Sequence, residues 1–205
     1  MNSEQNHPII IFGGTFNPIH NGHIIPAIEA AQQINGSKLI YLPCNIPPHK
    51  SLPNINNFHR LNMAKLALSE LSESSQNIEG LSIELSEFEL NLEQTSYTRY
   101  TIEHFSRLYP NQPLYFLIGM DSLLDFHKWY KWQEILNYCQ LLVMQRPNFL
   151  LNKNAIDELI LKRTHFVDVT QCDISSSQIR AEDNNISALS LPISVKNYIN
   201  QHNLY

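Results

Sequence analysis

The chain has 205 residues, 43% of them hydrophobic and 16% charged, with a formal net charge of −5. That length suits a single domain (1–205) whose core removes about 70% of the unfolded surface from water. The acidic balance excludes a general nucleic-acid binder, which needs a basic field to displace counterions, and no apolar run approaches the ~20 residues that span a bilayer.

Residues 1–7 are polar, lack the basic start of a secretory signal and are expected to form a flexible tail. Residues 8–12 read as a strand, and 22–34 as a helix with Ile25, Ile28 and Ala31 on one side. A second buried strand over 38–43 closes in Pro47-Pro48, where no helix can continue. Residues 58–71 carry apolar side chains at helical spacing, 72–80 form a polar loop, and 81–85 alternate as a strand. Residues 96–108 are helical, with Ser96 as the expected cap and Pro110 beyond the end. Strands follow at 114–120, 141–145 and 165–169.

Strands alternating with helices predict an α/β domain: a mostly parallel sheet with helices on both faces and ligands at the carboxyl ends of the strands. Cys44, Cys139 and Cys172 are odd in number and far apart. No disulfide framework or metal spacing emerges, which predicts reduced thiols and a cytoplasmic setting.

The first strand runs into Gly13-Gly14 and then His20-Asn21-Gly22-His23 at a helix start. The glycines allow a sharp turn and leave no Cβ between main-chain N–H groups and an anion. The helix adds unpaired donors and the positive end of its dipole. His20 and His23, three residues apart, can reach the same polyphosphate. A tight turn with two surface histidines is the plain alternative. No G-x-G-x-x-G follows the strand and no G-x-x-x-x-G-K-[ST] occurs, so the commoner nucleotide fingerprints lose support.

The segment Gly13-Gly14-Thr15-Phe16-Asn17-Pro18 with the H-x-G-H element resembles the signature of bacterial H-x-G-H nucleotidyltransferases. Ile174-Ser175-Ser176-Ser177-Gln178-Ile179-Arg180 is similar to the I-S-S-x-x-I-R element of the same superfamily. Standing alone, that second segment is a serine cap followed by a solvated arginine. Ser96-Tyr97-Thr98, Gly119-Met120-Asp121-Ser122, Trp129-Tyr130, Arg146-Pro147 and the ending from Tyr198 to Tyr205 narrow the resemblance to the bacterial nicotinate-nucleotide adenylyltransferases.

That resemblance implies a Rossmann-like fold and transfer of AMP from ATP to nicotinate mononucleotide, with Mg2+ carried on ATP. It implies no nucleic-acid or membrane partner and leaves self-association open. By the same resemblance His20, His23 and Arg180 act on the reacting phosphates. Gly13, Gly14, Thr15, Phe16, Lys50, Gly119, Asp121, Ser175, Ser176 and Ser177 bind ATP. Trp129 stacks on the pyridine ring, and the main chain around Thr98, Arg99 and Tyr130 takes the nicotinate carboxylate. Asn17 stands where the family often has Asp, which keeps a turn role and removes a magnesium ligand; no metal ligand is assigned. Arg60 reads as a solvated residue or a second phosphate contact. Two alternatives stay open: an adenylyltransferase of the phosphopantetheine type, and a nucleotide-binding sensor without turnover.

Overall fold

The apolar runs form six strands, all parallel. They are β1 (Ile9–Gly14), β2 (Lys38–Pro43), β3 (Ser82–Leu85), β4 (Leu114–Gly119), β5 (Gln140–Gln145) and β6 (Thr164–Asp168), in the order β3-β2-β1-β4-β5-β6. The computed structural model describes residues 7–48, 53, 55–73, 78, 80–93, 95–145, 156–172, 174–181 and 191–205. Among these the helices are α1 (Asn21–Gln33), α2 (Asn57–Glu73), α3 (Thr98–Leu108), α4 (Met120–Leu124), α5 (Trp132–Tyr138), α6 (Glu158–Lys162), α7 (Ser176–Ala181) and α8 (Ile193–His202). Single 3-10 turns occupy Glu89–Asn91 and Phe126–Lys128. No helix among the described residues is long and apolar enough to cross a membrane.

Alternation along each strand divides the interior in two, because successive side chains leave opposite faces of a sheet. Ile10, Phe12, Tyr115 and Leu117 join Ala27, Ala64, Val195 and Ile199 from α1, α2 and α8. Ile9, Ile11, Phe116 and Ile118 meet Ile102, Phe105, Ile135 and Leu136 from α3 and α5. Strands covered on both sides read as unbroken apolar runs, which is why β1, β2, β4 and β5 stand out in the sequence. Each fully buried aliphatic side chain in these two layers contributes about 1.5–3 kcal/mol.

β1 and β4 lie side by side, with Ile11 opposite Phe116. From β1 the chain moves outward to β2 and β3; from β4 it moves the other way to β5 and β6. The loops after these two strands therefore part and open a crevice at their carboxyl ends. Gly13 and Gly14 reach it from β1, and Gly119 with Asp121 from β4.

Candidate active site

The loop leaving β1 is built around the ring of Phe16. That residue has φ 47°, and its ring lies edge-on to His23 at 5.2 Å and to Phe12 at 5.6 Å. A Cβ on Gly14 would sit 2.8 Å from the ring, so Gly14 is needed for this internal packing. His20 then stands immediately before α1 in extended conformation, φ −150°. Its ring and that of His23 lie 3.7 Å apart with planes 30° from parallel. A Cβ on Gly22 would come within 3.0 Å of His20 Nδ1. The glycine between the two histidines thus makes room for the first imidazole.

The His20 N–H donates to His23 Nδ1 at 3.3 Å, which leaves the proton of neutral His23 on Nε2. His20 is 3% exposed, its Nδ1 has no hydrogen-bond partner among the described residues, and burial pulls its pKa down to about 4. A pair charged in advance is therefore not what the fold supplies. An anion bound beside the ring would stabilise the imidazolium and raise that pKa.

The far end of the chain meets this loop. The Ser176 hydroxyl donates to the Pro18 carbonyl at 3.0 Å, and Arg180 Nη1 donates to the Asn17 carbonyl at 2.7 Å. Asn17 is buried, and its Oδ1 accepts from the Tyr205 hydroxyl at 2.6 Å, a structural role in the turn. Ser175 and Gln178 exchange bonds at the head of α7: Gln178 N donates to Ser175 Oγ, and Ser175 N donates to Gln178 Oε1. That is a capping box. In this state the Ser175 donors serve the helix, while Ser177 Oγ accepts from Arg180 Nη2 at 3.2 Å. A cavity of about 580 Å³ results, walled by His20 and His23 on one side and by Ser175, Ser176 and Ser177 on the other, with Gly119 and Asp121 between.

Asp121 also borders a second cavity, of about 740 Å³, with Gly13, Gly14, Thr15, Thr98 and Trp129. Trp129 is held edge-on to Phe116 at 6.1 Å, which presents an aromatic wall. Tyr130 is 40% exposed, packs on Tyr97 at 4.6 Å and is not part of that lining. The Arg99 guanidinium is bound to Glu103 at 2.7 Å and to Glu134 at 2.5 Å, so its side-chain charge is already neutralised. Lys50 and Arg146 lie outside the described residues.

Three features of the site were not legible in the sequence. Ser96 does not cap α3, which starts at Thr98. Its hydroxyl accepts from the Asn45 N–H at 3.0 Å and bonds the carboxyl of Glu89. Glu89 itself is a buried acid on the wall of the larger cavity; burial raises its pKa, and bonds from Thr101 and Ser96 offset part of the rise. Arg60 is neither solvated nor a surface phosphate contact. It is fully buried, with Nη1 donating to the Thr15 carbonyl and Nη2 to the Cys44 carbonyl, each at 2.6 Å. Isolated Glu and Arg residues on a turn and a helix give no sequence signal, because only the tertiary contacts bury them.

Compared with known proteins, residues 11–182 match the cytidylyltransferase-like family. A Shewanella sp. (strain W3-18-1) protein named "Probable nicotinate-nucleotide adenylyltransferase" is 36% identical, covering 95% of this chain and 97% of its own. One of the same name from Clostridium tetani is also 36% identical with the same coverage. The chain belongs to the nicotinate-nucleotide adenylyltransferase family. Its fold agrees with that of Plasmodium falciparum nicotinic acid mononucleotide adenylyltransferase complexed with NaAD, at TM-score 0.74 and 22% identity, covering 97% of each chain. A Vibrio parahaemolyticus structure, "Putative Nicotinate-nucleotide Adenylyltransferase", agrees at TM-score 0.63 with 18% identity, covering 97% of this chain and 95% of that one. In this chain His20–His23 and Ser175–Ser177 line one cavity.

Proposed function

We propose that this protein transfers AMP from ATP to nicotinate mononucleotide, giving nicotinate adenine dinucleotide and pyrophosphate for NAD biosynthesis in the cytoplasm. The observation that carries the reading is the convergence of His20–His23 and the serine-led α7 on one cavity, which shares Asp121 with a second, aromatic-walled cavity. Two adjoining chambers suit a reaction between two nucleotides.

A phosphate oxygen of nicotinate mononucleotide attacks the α-phosphorus of ATP in line, and pyrophosphate leaves. Charge builds on the phosphoryl oxygens, so fixed donors do most of the catalysis. His20 and His23 donate to those oxygens. Arg180 has five N–H donors and spends one on Asn17 and one on Ser177, which leaves others for the leaving pyrophosphate. The backbone of Gly13, Gly14, Thr15 and Phe16, with Lys50, Gly119 and the three serines, completes the ATP contacts. Trp129 stacks on the pyridine ring, and the main chain at Thr98, Arg99 and Tyr130 receives the carboxylate.

Magnesium fits as a passenger. Carried on ATP, the ion takes most of its ligands from the triphosphate and water, and Asp121 is the carboxylate that lines both cavities. When bound, it screens the phosphate charge.

The test supplies ATP and magnesium with nicotinate mononucleotide, nicotinamide mononucleotide or phosphopantetheine and measures pyrophosphate release. Release with nicotinate mononucleotide is expected, and His23→Ala should lower kcat by about 100-fold or more with the fold intact. Release with phosphopantetheine alone, or binding without release, would overturn the reading.

A further inference from the structure

Arg60 is among the largest fully buried side chains of the protein, and among the described residues no carboxylate pairs with it. Its guanidinium donates to the carbonyls of Thr15 and Cys44 and to Asn57 Oδ1 at 2.5 Å, and it also bonds the Cys44 side chain. Among the described residues its Nε has no partner. Removing a guanidinium from water without a counter-charge is costly, and ordinary cores avoid it. An uncompensated buried cation is sensible where an anion completes the balance.

The position of the group says which anion. Thr15 follows β1 and Cys44 follows β2, and both border the larger cavity beside Gly13 and Gly14. The guanidinium ties the carboxyl ends of two neighbouring strands together from below. It also sets their peptide planes. In a trans peptide the N–H points opposite to the C=O, so a carbonyl drawn down toward Arg60 sends the next N–H the other way. At Cys44 this is visible: the following N–H, of Asn45, reaches across to Ser96 Oγ. At Thr15 the same geometry turns the Phe16 N–H away from the guanidinium, at the residue whose backbone is held at φ 47°.

We propose that Arg60 is a positioning residue for polyphosphate: it fixes the donor-presenting conformation of the loop after β1 and places an unneutralised positive charge beneath it. This rests on the reading of that loop as the phosphate-binding one, and it touches no reacting atom. The polar chain continues from Arg60 through Asn57 to Asn45, whose Oδ1 accepts from Asn57 Nδ2 at 2.5 Å, and on to Ser96 beside α3. Arg60 therefore braces the loop against the wall of the neighbouring cavity too.

The test compares the natural chain with Arg60→Met, which keeps the apolar stem, and Arg60→Lys, which keeps the charge but cannot span both carbonyls. Binding of inorganic triphosphate with magnesium, and separately of adenosine, is measured by calorimetry on protein shown to be folded by circular dichroism. Arg60→Met should bind triphosphate about 10- to 100-fold more weakly, the loss expected for charge-assisted contacts, with adenosine binding unchanged. Arg60→Lys should fall between, and its triphosphate affinity should depend on salt more steeply than that of Arg60→Met. If Arg60→Met does not fold, the Lys variant decides alone. Equal weakening of adenosine and triphosphate would mark a purely structural part, and unchanged triphosphate binding in either folded variant would overturn the proposal. So would a natural chain that binds no triphosphate. A natural chain that binds triphosphate but fails to adenylate nicotinate mononucleotide would overturn the proposed reaction and leave the Arg60 comparison valid.

Discussion

Replacing His20 by Asn separates what burial does to this imidazole from what the anion does. Asn is a favoured residue before a helix and does not titrate, so the variant should fold. In the natural chain the ring is held near pKa 4, against 6.5 in the unfolded chain, by loss of hydration. Between those two values the unfolded chain binds more protons than the folded one. Stability is therefore complete above about pH 6.5 and declines as the pH falls toward 4. At about 1.4 kcal/mol per pH unit, the gap is worth roughly 3–4 kcal/mol, most of it expressed by about pH 4.5. Urea unfolding of both chains from neutral pH down to about 4.5 measures it, because the carboxylates that titrate in that range are common to both. The natural chain should lose about 2–3 kcal/mol more than His20→Asn. A companion titration with inorganic triphosphate at neutral pH, in buffers of different ionisation heat, should show proton uptake in the natural chain that His20→Asn lacks. Parallel stability curves for the two proteins would refute the argument that His20 is buried neutral.

Two further outcomes follow from the same geometry. Gly22→Ala puts a methyl group 3.0 Å from His20 Nδ1 and 3.4 Å from Cys172 Cβ, while Ala favours the helix by about 1 kcal/mol over Gly. Pyrophosphate release should drop at least about 10-fold with the melting temperature held or raised, since the displaced ring loses its catalytic geometry. Arg180→Lys keeps the charge but cannot bridge Asn17 and Ser177 while reaching a phosphate; kcat should fall about 10- to 100-fold with little change in unfolding free energy, and equal turnover would show that the fork is dispensable.

Much of this molecule could be read from local pattern. Strands buried on both faces are continuous apolar runs, so β1, β2, β4 and β5 were recognisable to within one or two residues, and α1, α2 and α3 by their spacing. The H-x-G-H and serine-helix segments were legible because a glycine turn and a capping serine are local requirements. The segments from Met120 to Tyr138 were not: α4, the 3-10 turn and α5 are each too short to show a helical period.

The sequence by itself determined the buried strands and the longer helices, and where a glycine turn or a capping serine meets a helix start, since these depend on neighbours within a few positions. Only the tertiary structure decided the strand order, the closure of Ser176 on Pro18 across 158 residues, and the burial of Arg60 and Glu89 beside the site. The physical reason is one of range. Hydrophobic period and capping are properties of a single turn or strand, whereas desolvation and hydrogen bonding of an isolated charge are set by whatever distant segments happen to surround it.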